Sequence, residues 1–245
     1  SKLPELRESA LKALADRTTQ NNNVPTEPFV AALDDSMKRV RLQAVIGLSR
    51  IGKANVADKL VARLLDTDPL VVHATVKALV DLRASAAVFA AIDPTKPELA
   101  ARGGLVLQTL HEKAVVDGVL AKLEQVKDSG GPPELRGKVD AQRRPFLTTL
   151  ARLHTREADW DGKWWTTRPD TSGPYYKPET WSESDRIAAV LRAELLKANK
   201  TEQRWLLTEL RRHKVTLPEA AELILHLAAD DAALRPAALD VIASR

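Results

Sequence analysis

The strongest constraint on the fold of this chain is an internal repeat in its N-terminal half. When the sequence is set against itself at an offset of 31 residues, Val40 aligns with Val71 and Leu48 aligns with Leu79. Within each copy the apolar positions follow one face of an α-helix. A unit of this length cannot bury its apolar face alone, so successive copies must stack. The sequence therefore predicts stacked helical hairpins.

The bounds of the predicted helices follow from this periodicity and from proline and glycine positions. Aspartates stand at helix starts in the pairs Asp34-Asp35, Asp66/Asp68 and Asp230-Asp231. They are expected to cap these helices by accepting from free backbone N–H groups. The pair Gly103-Gly104 is expected to let another backbone approach closely. The predicted helices of the second and third copies are 55–65, 69–82, 85–92 and 97–111, and the later ones are 134–154, 186–198, 201–213, 218–228 and 232–244.

These features resemble HEAT repeats. The resemblance lies in the repeat spacing, the Asp34-Asp35 start, the Val40-Arg41 pair and the Ile51-Gly52 end, and it is clear over residues 26–83. It implies a right-handed superhelix of stacked helix pairs that holds partners on its concave surface. Arg41 and Arg235 are then expected to bond to aspartates of neighbouring turns.

The expected architecture is an all-α, HEAT-like α-solenoid with one long loop rich in Trp, Tyr and Pro. Residues 1–128 form N-terminal repeats, 129–185 form a long helix plus the aromatic loop, and 186–245 form C-terminal HEAT-like helices. The first boundary is the helix-breaking run Ser129-Gly130-Gly131-Pro132-Pro133. Because neither end carries a start or stop signal, the chain is expected to be a piece of a larger protein.

The loop between Trp160 and Trp181 contains four of the five tryptophans and both tyrosines. Three interpretations stay open. The rings pack back onto the helices as a brace, or they form a protein interface, since Trp, Tyr and Arg dominate binding hot spots, or they form a stacking platform for carbohydrate. The candidate docking or ligand residues are Trp160, Trp164, Trp165, Arg168, Asp170, Tyr175, Tyr176 and Trp181.

A second resemblance rests on the run from Asp161 to Tyr176, followed by Lys177-Pro178 and Trp181. This run is similar to a signature in large secreted bacterial proteins that combine a sugar-dehydrogenase-like β-propeller, HEAT repeats and a c-type cytochrome module. The resemblance implies a periplasmic or cell-surface location and a region that bridges redox modules. This chain has no Cys-x-x-Cys-His motif for covalent haem, so the segment itself is expected to be non-catalytic.

Composition restricts other functions. The chain has no cysteine, and its five histidines show no metal-ligand spacing, so neither a cofactor nor a metal is expected. No apolar run approaches the roughly 20 residues that a membrane span needs. The expected partner is another protein or a neighbouring domain, with carbohydrate as the alternative. The net charge of +4 leaves nucleic acid as a further alternative, although acids and bases alternate along most helices. The candidate basic patch is Arg143, Arg144, Arg211, Arg212 and Lys214.

Overall fold

The helical hairpins expected from the repeat are present in the structure, a computed structural model that describes residues 1–16, 23–93, 96–126, 133–159 and 178–242. The chain divides into two compact units, Ser1–Leu110 and His111–Arg245. Within the described residues, the β-structure is limited to one two-stranded ladder. The predicted all-α solenoid class is confirmed.

The first unit consists of two layers of helices. Helices α1, α3, α5 and α7 pack side by side in one layer, and each of α2, α4 and α6 packs against the longer helix that follows it. The helices are α1 (Pro4–Ala15), α2 (Glu27–Ala32), α3 (Lys38–Ile51), α4 (Ala57–Val61), α5 (Pro69–Asp81), α6 (Ser85–Ala91) and α7 (Pro97–Leu107).

The repeat positions form the core of this unit, as the periodicity predicts. Val40, Leu48, Val71 and Leu79 are all at most 1% exposed. The one polar residue in the series, Thr75, is fully buried, and its hydroxyl donates to the Val71 carbonyl at 2.8 Å. That bond removes the cost of an unpaired buried hydroxyl.

Asp35 and Asp66 act differently from the prediction. Asp35 accepts from the Met37 N–H at 2.9 Å, and Asp66 accepts from the Asp68 N–H at 2.9 Å. Both bonds close a turn two residues on, ahead of the helix, because short Asp side chains readily bond nearby backbone. Asp68 is the N-cap of α5, as expected, and accepts from the Leu70 and Val71 N–H groups.

Two further expectations in this unit are wrong in detail. The predicted helix 55–65 is α4 flanked by 3-10 turns at Ala54–Val56 and Ala62–Leu65, and the predicted helix 97–111 ends at Leu107. The close neighbours of Gly103 are side chains rather than backbone. A Cβ there would lie 2.9 Å from Ile92 Cδ1 and 3.2 Å from Val88 Cγ1. Gly103 therefore makes room for the apolar face of α6.

Arginine–aspartate pairs link successive hairpins of the first unit. Arg7 bonds both carboxylate oxygens of Asp35, at 2.7 and 2.9 Å. Arg41 repeats this geometry one hairpin later, with two bonds of 2.8 Å to Asp66, as expected. A planar guanidinium matches a carboxylate in this two-bond arrangement. The pairs fix the register of the stack.

The second unit has the same two-layer packing. Helices α9, α11 and α13 pack in sequence, while α8 and α10 pack on α9 and α12 packs on α13. Between α9 and α10, the ladder pairs β1 with β2 in antiparallel orientation. The elements are α8 (Lys113–Gln125), α9 (Pro133–Leu153), β1 (Arg156–Glu157), β2 (Pro178–Glu179), α10 (Ser184–Lys197), α11 (Lys200–Arg212), α12 (Ala221–Asp230) and α13 (Arg235–Ile242).

Three contacts show that α9 and α11 run parallel. Going along both helices, Arg144 bonds Glu202 at 2.5 and 3.0 Å, Thr148 bonds Glu209 at 2.9 Å, and Arg152 lines the same cleft as Arg212. Parallel alignment is expected for equivalent helices of neighbouring hairpins. It brings the two C-terminal ends to the same edge of the unit.

Candidate functional site

The ends of the aromatic segment are held together by the β1–β2 ladder. Arg156 pairs with Glu179 in the register, and the Arg156 guanidinium lies 2.6 Å from the Glu179 carboxylate. Glu157 pairs with Pro178. The described residues on either side of the segment 160–177 therefore lie next to each other in the second unit. We call these four residues, together with Trp181, the loop base.

Trp181 anchors the loop base to α9. Its indole N–H donates to the Leu153 carbonyl at 2.7 Å, and its ring meets His111 edge to face, with centroids 5.6 Å apart. His111 Nε2 lies 3.0 Å from the Thr155 carbonyl oxygen. Trp181 therefore packs within the second unit, and the N–H of its indole is hydrogen-bonded there.

The buried residues Ser184 and His154 also hold Trp181 in place. The Ser184 hydroxyl donates to the His154 carbonyl at 2.6 Å. The backbone N–H of Trp181 donates to the Ser184 hydroxyl oxygen at 2.9 Å. His154 is 8% exposed, and this desolvation lowers the pKa of its imidazole against the opposing charge of Asp185. A lowered pKa keeps the ring neutral at pH 7. The packing under the loop base is therefore free of buried positive charge from this residue.

The other candidate residues of the aromatic segment lie outside the described residues. They are Trp160, Trp164, Trp165, Arg168, Asp170, Tyr175 and Tyr176. Whether those rings pack on helices or face a ligand stays a prediction.

The structure does not bring the five candidate basic residues together. Arg143 donates to the carbonyls of Leu123 and Val126 at the end of α8, and it also pairs with Glu194 at 2.5 Å. Arg144 is held by both carboxylate oxygens of Glu202. The charge of both arginines is therefore matched by glutamates within the second unit. Their bonds connect α9 to neighbouring helices.

The other three basic candidates lie at the far ends of these helices. Arg211 pairs with Asp240 at 3.0 Å. Arg212 and Lys214 line a cleft of about 180 Å³ with Arg152 and the loop base. The patch expected from sequence is therefore divided between two places. Arg235, expected to reach an aspartate, instead donates to the Ala228 carbonyl at 3.4 Å.

Sequence reasoning missed Trp205, which lines a cleft between α9, α10 and α11. Its ring is partly buried under the Arg144 guanidinium, 5.1 Å from the ring centroid, a cation–π arrangement. The cleft measures about 450 Å³ and is lined by both charge signs, including Arg143, Glu194 and Glu202. The tryptophan was visible in the sequence, but its partner is 61 positions away, so no local pattern indicated the contact.

Two absences among the described residues bear on other functions. These residues contain no group of three or more His, Asp or Glu side chains placed to hold a metal ion. Among the same residues, no helix is long and apolar enough to cross a membrane.

The two-layer packing and the arginine–aspartate pairs define an α-solenoid of stacked helical hairpins. A family model of HEAT repeats matches residues 1–80. This part of the chain is therefore similar to HEAT repeats, and it overlaps the segment in which the repeat is clearest. No curated protein matches the chain. HEAT repeats commonly act as protein-interaction scaffolds without catalytic groups of their own.

Proposed function

We propose that this chain is a non-catalytic scaffold that docks another protein or a neighbouring domain through the aromatic segment 160–177. The observation that carries the proposal is the loop base. An indole hydrogen bond, a ring contact with His111 and an ion pair hold the two ends of that segment against α9. A binding loop costs less ordering entropy on association when its ends are already fixed.

The composition of the segment supports a protein partner. Trp164, Trp165 and Arg168 belong to the residue types that carry most of the energy in protein interfaces. In keeping with the resemblance to secreted multidomain proteins, we place the partner in a redox assembly of the periplasm or cell surface.

The test begins with identification of the partner. A photo-crosslinking amino acid at Thr180, which is exposed beside the loop base, is compared with one at the exposed Leu225 of α12. A partner trapped from Thr180 only is then purified and titrated against the unmodified chain. Micromolar or tighter binding supports the proposal, whereas absence of binding by the purified partner contradicts it.

The variants then assign the binding to the segment. Trp164→Ala with Trp165→Ala is expected to weaken binding by about 30-fold or more, which corresponds to a hot spot of about 2 kcal/mol. Trp205→Phe is the matched control, because it alters a tryptophan outside the aromatic segment. Equal effects of both changes would contradict the proposal. A glycan that binds with the same dependence on Trp164 and Trp165, in place of any protein, would establish carbohydrate binding and overturn protein docking.

A further inference from the structure

Beside the loop base lies a cleft that is more basic than its surroundings require. It opens where the C-terminal ends of α9 and α11 meet, and Arg152, Arg212 and Lys214 line it. Its volume is about 180 Å³, enough for one small polar group but not for a folded element. The loop base also lines the cleft, through Arg156, Glu157 and Pro178.

Within the described part of the chain, two of the cations have no counter-charge. Arg152 and Lys214 make no ion pair and no side-chain hydrogen bond with the residues that the structure describes. The Arg212 guanidinium lies 3.6 Å from the Glu209 carboxylate, which is too far for a hydrogen bond. By contrast, Arg143 and Arg144 on the same long helix are fully engaged with glutamates. Among the described residues, the side-chain donors of Arg152 and Lys214 therefore remain available.

Lys214 also has an unusual backbone conformation. Its φ of 56° lies in the left-handed region, which residues other than Gly and Asn rarely occupy. Here the chain ends α11 in a Schellman motif, with Val215 N–H bonded to the Leu210 carbonyl at 2.9 Å and Lys214 N–H bonded to the Arg211 carbonyl at 3.1 Å. Glycine is the usual residue at that position, as Gly52 is at the end of α3 with φ 74°. Lysine here keeps a strained backbone and adds a cation to the cleft.

Neutralisation of the helix ends does not account for this arrangement. Cations in the last turn of a helix offset its dipole, and Arg211 and Arg212 already occupy the last turn of α11. The carbonyls of Leu210 and Arg211 are satisfied by the Schellman bonds. Lys214 lies past the end of the helix and is not required for either purpose.

The charge balance indicates which anion fits. Within the described residues, the cleft and its immediate partners bring four cationic side chains, Arg152, Arg156, Arg212 and Lys214, against three carboxylates, Glu157, Glu179 and Glu209. Among these seven side chains, one positive charge is left over. A monoanion balances that charge. A phosphate dianion or a nucleic-acid backbone would bring more negative charge than the cleft neutralises, and the nearby glutamates would repel it.

We propose that this cleft binds a single carboxylate, supplied by an Asp or Glu side chain of the docked partner. The inference rests on the proposed docking function and specifies its chemistry: the aromatic segment provides apolar contact, and the adjacent cleft accepts one acidic side chain of the same partner. Arg152 offers a planar guanidinium that suits a carboxylate. Lys214 adds a second donor from the opposite helix.

The probe is a fluorescein-labelled tetraglutamate peptide, followed by anisotropy at low salt. Arg152→Gln and Lys214→Gln are each expected to weaken binding at least fivefold. Arg192→Gln, which removes an exposed cation from α10, is the matched control and should change the affinity less than twofold. An equal loss with Arg192→Gln would show general charge attraction and overturn the proposal.

A further variant separates binding from folding. Lys214→Gly is expected to weaken the peptide as much as Lys214→Gln does while raising the melting temperature, because glycine relieves the left-handed backbone. Acetate should displace the peptide at least as well as inorganic phosphate at equal concentration. Displacement by phosphate at tenfold lower concentration would overturn the assignment to a carboxylate.

Failure of this inference can be distinguished from failure of the docking proposal. If the purified partner loses affinity on substitution of Trp164 and Trp165 but not of Lys214, docking stands and the cleft assignment falls. If the peptide depends on Arg152 and Lys214 but no partner binds the aromatic segment, the cleft assignment to a carboxylate stands and docking falls.

Discussion

Gly47 lies in the middle of α3, where alanine would ordinarily be the better helix former by about 1 kcal/mol. The structure reverses that preference. A Cβ at Gly47 would lie 2.2 Å from Cε1 of Phe29, a ring that is fully buried. We therefore expect Gly47→Ala to destabilise the chain by about 1 to 3 kcal/mol through overpacking. Urea unfolding followed by circular dichroism measures the change.

The control is Gly52→Ala. No atom lies within 4 Å of the point that a Cβ would occupy there, so only the positive φ of 74° is penalised, by about 1 kcal/mol. Phe29→Leu added to Gly47→Ala should recover part of the loss, whereas it should not rescue Gly52→Ala. A Gly47→Ala chain as stable as the parent would contradict the close packing of α2 on α3.

At the scale of the element, the arginine–aspartate pairs make the first unit sensitive to acid. Burial raises the pKa of Asp66, but the hydrogen bond from Arg41 and its other partners lower it by more, so the net pKa lies below the ordinary value of 3.8. The pKa of Asp35 is likewise lowered, mainly by its hydrogen bond from Arg7. A lowered folded pKa contributes stability above pH 3.8, and that stability is lost as the pH falls through the folded pKa.

We expect Asp66→Asn to cost about 3 kcal/mol at pH 7, because the Arg41 guanidinium is then left mostly buried without its carboxylate. The variant should also lose less stability than the parent between pH 5 and pH 2. Urea unfolding across this pH range provides both readings. Parallel pH profiles for the parent and the variant would show that the pair does not contribute to acid sensitivity.

The second prediction for an element concerns the loop base. Trp181→Phe keeps a ring against His111 but removes the N–H that bonds the Leu153 carbonyl, a loss of about 1 kcal/mol. Amide hydrogen exchange of peptides covering Arg156–Glu157 and Pro178–Glu179 should become faster. Trp205→Phe serves as the control and should leave these peptides unchanged. Unaltered exchange in Trp181→Phe would mean that the ladder does not depend on the indole.

The elements also show what the sequence can predict. The 31-residue periodicity identified α3 and α5 and the buried positions Val40 and Val71, because a helical stripe is a local property. The helix expected at 55–65 is α-helical only over Ala57–Val61 and has 3-10 turns at both ends, since tertiary packing decides such short segments. The partners of Arg143 and Arg144 lie 51 and 58 positions along the chain. No spacing in one sequence indicates pairs so distant, so Arg143 and Arg144 were expected in a basic patch where the structure has ion pairs.

At the scale of the whole molecule, each compact unit contains its own core. Phe29, Leu48 and Leu79 are fully buried in the first, and Phe146 and Leu191 are at most 1% exposed in the second. The Arg7–Asp35 and Arg41–Asp66 pairs both lie within the first unit. We therefore expect fragments 1–110 and 111–245 each to fold alone, with helical circular dichroism and a cooperative urea transition.

The fragments also separate the two sources of stability. Because the Asp66 carboxylate belongs to the first unit, fragment 1–110 should reproduce the effect of Asp66→Asn, and fragment 111–245 should reproduce the effect of Trp181→Phe. Agreement within about 0.5 kcal/mol is the additivity expected for sites with no shared partners. A fragment 1–110 without a cooperative transition would contradict this account, because repeat proteins draw stability from neighbouring hairpins as well as from each hairpin itself. In that case the stack would be the folding unit, and the boundary after Leu110 would describe geometry alone.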